Sequence, residues 1–577
     1  MKFRNIISGA FGLLLISSCD VLDKEPMDTI GENTFFETAD AAAFEQYCNW
    51  FYPRLIKGHG DPNNYTLGML ETDYNSDNMY PWNYNTTAFG HHVAPTSKSG
   101  TEWQWENLRA ANNFLNNYHR SPEKEEAKQR YAGEVMFFKV LDYFNKVRAY
   151  GDVPYYDEVL APGDAALYNP RDSRTLVMEK LLENIDQAIA WLPAKTKVYR
   201  VSKDAALALK ARMCLYEGTW RRYHNIEGDV EFLEAAYDAA GVLMSGEFNY
   251  ALHEGSSPAK SYYELFIQED YNSSTEVILS KEYDPKISKG HNISRELPTG
   301  VNPFGMSKDM ADSYLCAETG LPVSQCECHK DETGLIASMK NRDPRMLQTV
   351  ALPEEGDFTY YLEGSKSVIS NLIGSGKGAT STGYAVVKFY NKAEDLAAHN
   401  QGTSDAPIFR FAEILLIRAE AGAELGKDPE LDRTINALRR RVGFNVDLTN
   451  APFADPALAD MYPNVKGANA NLIREIRRER RIELFGEGLR RDDLMRWASG
   501  EVLAKPRKGM ILDETLYTSE EIATLKRELG VFADGSLDVY GKRVQMPAEF
   551  IAPKHYLYAI PINEIALNPN LEQNPGW

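Results

Sequence analysis

The sequence is poor in the features that let a chain cross a membrane, cross-link itself or grip a polyanion. No apolar run, the short stretch near the N-terminus included, reaches the roughly 20 residues that a spanning helix needs. Cysteine is scarce, six in 577 residues, which leaves room for few cross-links. Positive charge is also short, with 63 Lys and Arg against 83 Asp and Glu. The net charge of −20 argues against nucleic acid, whose binding needs clustered cations, and against electrostatic adhesion to anionic lipid. EF-hand spacing is absent. Asp, Asn and Glu in the loops leave calcium open, and no cofactor is expected. With 43% hydrophobic and 25% charged residues, the composition is that of a globular chain long enough for a large core.

The one apolar stretch runs from Ile6 to Ile16, after Lys2 and Arg4 and before Ser17-Ser18-Cys19. A positive start, a short apolar run and small residues before a cut site describe a secretory signal. Cysteine directly after Ile-Ser-Ser makes it the lipoprotein form, with residues 1–18 removed and Cys19 lipidated as the new N-terminus. Loss of Lys2 and Arg4 takes the charge from −20 to −22. The mature chain is therefore expected to sit on a membrane rather than in it.

With Cys19 lipidated, Cys48, Cys214, Cys316, Cys326 and Cys328 remain, and an odd number leaves at least one thiol free or paired with another chain. Cys214 lies among apolar residues of a predicted helix and reads as core. Cys316, Cys326, Cys328 and His329 cluster in the sequence. For an exported protein the first expectation is a disulfide from Cys316 to Cys326 or Cys328. A Cys-x-Cys-His metal site is the alternative, but the spacing is not a standard zinc pattern and no metal is assigned.

Helical periodicity dominates. Val135, Met136, Phe138, Leu141, Phe144 and Val147 recur at close to 3.6 residues, and Gly151-Asp152-Val153-Pro154 ends that helix. Thr175 to Leu192 repeats the pattern. Asp204 to Glu217 carries Ala205, Ala206, Ala208 and Ala211, a face narrow enough for close approach by Phe232 to Met244. Ile408–Leu425 with Glu430–Val442, and Ala470–Phe485 with Leu489–Trp497, extend the series to about four helical hairpins of tetratricopeptide type, without a strict 34-residue period. Between them lie long irregular stretches, 60–105, 246–310, 316–380 and 500–550, rich in Gly, Pro, Asn, Ser and Tyr. The expected architecture is mainly α: a helical scaffold presenting elaborated loops, an arrangement suited to binding.

The segment Arg474 to Phe485 is densely charged, and Arg480 interrupts the apolar stripe between Ile476 and Leu484. A half-buried charge must be paired, so Glu479, Glu483 and their arginine neighbours are read as a buried network that fixes helix register, not as a catalytic dyad.

These features together resemble the SusD/RagB family of surface nutrient-binding lipoproteins. The resemblance rests on Ser18-Cys19-Asp20 with Leu22 to Pro26, Tyr143 through Pro154, Lys203 to Tyr216, Arg342-Asp343-Pro344-Arg345, Phe409 to Leu416, Ile476 to Trp497, Ile560-Pro561-Ile562, Asn568-Pro569 and Gln573 to Trp577. It implies a SusD-like fold of four tetratricopeptide-like helix pairs beneath a loop-rich ligand face. It implies one mature domain, 19–577, with an N-terminal part of about 19–240 and a C-terminal part of about 270–577. It also implies a place on the outer membrane beside a SusC-like TonB-dependent transporter, and capture of an oligosaccharide, or of peptides in RagB-like members, without catalysis.

A sugar offers an apolar C–H face and a rim of hydroxyls, which aromatic rings and Asn, Asp or Arg meet together. The stretch from Asp73 to Tyr84 has that composition, in a loop where the family often places its ligand platform. Trp82 and Tyr84 are the stacking candidates, and Asp73, Asp77 and Asn78 the hydroxyl partners. Trp103 is a further candidate, whereas Trp105 fits the start of a buried helix. A second loop, His291 to Tyr314, adds Arg295, Asn302, Phe304 and Tyr314, by position alone. A surface glycoside hydrolase is the remaining reading, and it would need two carboxyls set about 5–9.5 Å apart.

Overall fold

The computed structural model describes residues 32–60, 66–330, 334–352, 359–362, 365–394 and 399–577. The leader and Cys19 lie outside the described residues. Helices carry the first core. Glu125–Tyr150 packs against Arg174–Trp191, Lys203–Tyr223 against Asp229–Met244, and Phe411–Leu425 against both Asp229–Met244 and Ala470–Glu483. No described helix is long and apolar enough to cross a membrane.

Local chemistry sets the helix ends. Ser173 caps Arg174–Trp191 by accepting the Leu176 amide at 3.3 Å. Gly151 closes Glu125–Tyr150 at φ +72°, and a Cβ there would lie 2.9 Å from Leu557 Cδ1. The narrow face of Lys203–Tyr223 allows close packing as expected. Ala205, Ala206, Ala208 and Ala211 are fully buried. A Cβ on Gly218 would meet Leu233 Cγ at 2.7 Å and its backbone N at 2.9 Å.

The expected helix Ile408–Leu425 is split. Ala406–Arg410 is a strand, antiparallel to Val277–Lys281, and the helix starts at Phe411. Extended backbone at Arg410 lets its guanidinium reach Glu276, Glu483 and Glu487. The next expected helix is also short, Ile435–Arg441, because Pro429 and a positive φ at Glu430 hold the chain off a helical path.

The long loops pack a second core around Tyr262, Phe266, Tyr314, Phe389, Phe485 and Met510. Within them Met79–Pro81 pairs antiparallel with Phe304–Met306, in the register Met79↔Met306, Tyr80↔Gly305, Pro81↔Phe304. The two candidate ligand loops are thereby one unit.

Between the two cores runs the charged helix Ala470–Glu483. Glu479 takes Arg345 at 2.9 Å and Arg439 at 2.6 Å. Glu483 takes Arg345 at 3.1 Å, Arg410 at 2.8 Å and Arg441 at 2.8 Å. Arg480, the interrupting charge, meets Asp493 at 2.9 Å. Burial pushes the Glu483 carboxyl up, but Arg441, Arg410 and Arg345 outweigh it and hold the group well below the usual carboxylate range. The helix is bound on several sides by paired charge, the structural role read from the sequence.

Candidate ligand-binding face

The acidic residues of the first loop face inward. Asp77, 3% exposed, accepts Arg490 Nε at 2.7 Å and Nη2 at 2.9 Å, a fork-on-carboxylate pair, and meets Arg481 Nη2 at 2.8 Å. Burial raises its carboxyl, and Arg481 and Arg490 more than reverse this, to well below the ordinary range. Asn78 accepts from Arg481 Nε at 2.9 Å and donates to Asp73 Oδ2 at 3.1 Å. Asp73 Oδ2 also accepts the Gly486 amide at 2.9 Å. Here burial wins and pushes the carboxyl up to about 6, while Oδ1 has no partner among the described residues.

Asp73, Asp77 and Asn78 are therefore corrected from hydroxyl-binding residues to anchors of the loop. Composition marked them as polar loop residues. Arg481 and Arg490 of the C-terminal helices, which require polar or charged partners when buried, turn Asp77 and Asn78 inward, and Asn78 and the Gly486 amide hold Asp73.

Two further candidates are also corrected. Trp103 is 2% exposed, with its ring edge-on to Tyr150 at 4.9 Å and to Trp105 at 5.5 Å. Phe304 is buried in its strand, 5.4 Å from the Tyr74 ring. Phe304 is a packing residue, and Trp103 is buried away from the Trp82–Tyr84 face, under the separate cleft described below. Arg295 is half-buried beside Glu296 and His399.

Trp82 and Tyr84 remain at the surface. Trp82 is half-buried against the loop core, its amide donating to Pro303 O at 2.6 Å. The Arg543 guanidinium lies 3.7 Å over its ring and donates to the Trp82 carbonyl at 2.9 Å. Tyr84 is 38% exposed, edge-on to Phe89 at 5.0 Å and hydrogen-bonded to His91 Nδ1. Asn302 Oδ1 accepts the Asn83 amide at 3.3 Å, so the second loop borders the same face. Arg543 is a member that sequence reasoning missed, since nothing around Gly541-Lys542-Arg543 marks it as the partner of a tryptophan 461 residues away.

A separate cleft of about 490 Å³ shares no lining residue with this face. Trp105, Tyr156, Tyr168, Leu167 and Leu567 form much of its wall, with Trp103 and Asn112 beneath. Asn112 donates to Tyr156 O at 2.8 Å, and its Oδ1 has no partner among the described residues. Concave aromatic walls with a few polar atoms are usual for small-ligand sites.

The cysteine expectation needs correction. The disulfide joins Cys326 to Cys328, with Cα atoms 5.4 Å apart, and Cys316 is a buried thiol. The turn at Glu327 brings these two together, while Cys316 is held in a bridge to Arg342.

Paired helices support a separately packed, loop-built surface. Family comparison gives the class its name. The SusD family model matches residues 268–577, and a second model, described as starch-binding associating with outer membrane, matches 20–215. The chain belongs to the SusD family. It is similar to SusD-like protein P38 of Formosa agariphila, 24% identical over 541 residues, which cover 89% of this chain and 96% of that one. It is also similar to the starch-binding protein SusD of Bacteroides thetaiotaomicron, 22% identical over 510 residues, which cover 83% and 79% of the two chains. A crystal structure of a SusD-like carbohydrate-binding protein from Bacteroides fragilis matches with a TM-score of 0.73 at 23% identity, covering 93% of this chain and all of that one.

Proposed function

We propose that the protein is a non-catalytic surface lipoprotein that captures an oligosaccharide and passes it to a SusC-like TonB-dependent transporter. Residues 19–577 form its mature domain, and lipid on Cys19 holds it at the outer membrane. The observation that carries the binding role is the Trp82–Tyr84 face. Its loop is pinned from below by Asp77–Arg490, its tryptophan is fixed by Arg543, and its rim carries Asn83 and Asn302. Fixed aromatic rings with amide groups beside them match a sugar's apolar face and hydroxyl rim at low ordering cost. Relatives named as starch-binding and carbohydrate-binding support the ligand class. Tethering supports the partnership, because a lipid-held chain stays at high effective concentration near a barrel in the same membrane.

The test is binding of protein lacking residues 1–19 to panels of neutral oligosaccharides and of peptides. Glycan binding without product formation supports the reading. Peptide binding alone, or cleavage of a bound glycan, contradicts it.

A further inference from the structure

Outside the aromatic face, four potential metal ligands converge. The donor atoms of Cys316, Cys326, Cys328 and His329 all lie within 4.8 Å of one another. Cys316, Cys326 and His329 are buried, whereas Cys328 is exposed, which gives an ion a route in from solvent. Cys316 Sγ is 3.4 Å from Cys328 Sγ. Tetrahedral zinc, with bonds of about 2.3 Å to sulfur and about 2.0 Å to nitrogen, sets its ligands less than about 4 Å apart, so small movements would close these atoms around one ion.

The surroundings of Cys316 suit a metal-bound thiolate. Its backbone is fixed at both ends of a tight turn: its amide donates to Leu321 O at 2.9 Å, and the Gly320 amide donates to its carbonyl at 2.9 Å. Gly320 takes φ +68°, and a Cβ there would sit 2.4 Å from Val446 Cγ1. The Thr319 and Glu318 amides donate hydrogen bonds to the Cys316 sulfur. Outer hydrogen bonds of this kind orient thiolate ligands and stabilise their charge. The opposite wall is also fixed, with the His329 amide donating to Cys326 O at 3.1 Å and Thr319 Oγ1 to Cys326 Sγ at 3.5 Å.

Three thiols are one too many for a disulfide. Pairing Cys326 with Cys328 uses two of the four donors, whereas a metal uses all four.

We propose that Cys316, Cys326, Cys328 and His329 form a structural site for a thiolate-preferring divalent cation of the zinc type whenever the Cys326–Cys328 pair is reduced. A phosphine or thiol reductant supplies two electrons, two protons complete the thiols, and binding of one Zn²⁺ by three thiolates and a neutral imidazole then releases three protons. The disulfide and the metal site are alternative states of the same residues. The ion would clamp the segment that leads into Asp343 and Arg345, and Arg345 enters the buried charge network at Glu479 and Glu483.

The experiment uses the chain lacking residues 1–19, reduced with a phosphine and titrated with Zn²⁺ against a chromophoric chelator, and with Co²⁺ to read sulfur-to-metal charge-transfer absorption. The expected result is one ion per chain, charge-transfer bands with Co²⁺, and a rise in melting temperature on loading. Cys316→Ser and His329→Asn, each confirmed folded by circular dichroism, should each weaken Zn²⁺ binding by more than about tenfold, the lower scale already reached when outer-shell partners are lost. Failure of the folded, reduced wild-type chain to take up Zn²⁺, or uptake that both variants leave unchanged, would overturn the site.

Discussion

Asp77 and Arg490 meet as a two-point pair, Nε to Oδ1 at 2.7 Å and Nη2 to Oδ2 at 2.9 Å, although 413 residues separate them in sequence. One residue lies in the loop that carries Trp82 and Tyr84, the other in the helix Arg490–Arg496 beneath it. The pair fixes the exposed loop to the most highly charged part of the interior. Its removal should be felt in stability and at the binding face together.

Asp77→Asn leaves Arg490 and Arg481 buried without their shared carboxylate. Breaking one side of a buried pair costs about 3–5 kcal/mol. Chemical denaturation should show a loss on that scale. A change below about 1 kcal/mol would mean the pair contributes no more than an exposed one.

Asp73 should behave in the opposite way. Its folded carboxyl titrates at about 6, above the ordinary value, so its stabilising contribution is present at low pH and is lost as pH rises through that value. A shift of two pH units corresponds to about 3 kcal/mol. Asp73→Asn keeps an acceptor for the Gly486 amide and Asn78, and it removes the charge. Thermal melts from about pH 4 to about pH 7 should show a steeper decline in the wild type than in the variant, with the variant at least as stable at neutral pH. A variant less stable than wild type at neutral pH would refute the assignment.

Glu483 and Asp77 carry the acid side. Both folded carboxyls are depressed, so their contribution is present above the ordinary carboxylate value and is lost only as pH falls through the folded one. Glu483→Gln should destabilise by about 3–5 kcal/mol at neutral pH, since three arginines share that carboxylate. The penalty should shrink in strong acid, where the wild-type group is also protonated. An equal penalty throughout would point to packing instead.

Gly218→Ala tests the helix pairing. The added methyl meets Leu233 at 2.7 Å, including backbone at 2.9 Å, so the pair must separate. Overpacking of this kind costs about 1–3 kcal/mol, which denaturant titration will read directly. An unchanged midpoint would show that the two helices are not held at this spacing.

The helix pairs were legible because their signal is local. Apolar spacing from Val135 to Val147, the alanine face at Ala205–Ala211 and the stop at Gly151 each act within a few turns of chain. The charged helix was legible for the same reason, since Arg480 breaks its own stripe. The ligand face was legible only in part. Asp73, Asp77, Asn78, Trp82 and Tyr84 have similar sequence surroundings, and what separates anchors from exposed rings is the position of Arg481, Arg490 and Arg543, far along the chain. The same long-range dependence hid the strand at Ala406–Arg410. Its apolar residues continue smoothly into the next helix, and the pull of Arg410 toward Glu276, Glu483 and Glu487 has no local mark.

The most direct test compares two paired substitutions by calorimetry, using the oligosaccharide that the wild-type chain binds. Trp82→Ala with Tyr84→Ala should weaken binding by more than about tenfold, the scale of lost ring contact, with the circular dichroism spectrum unchanged. Trp105→Ala with Tyr168→Ala, in the separate cleft, should leave the affinity at the wild-type value. Wild-type affinity in the first pair, with loss in the second, would contradict the account and move the ligand to the cleft.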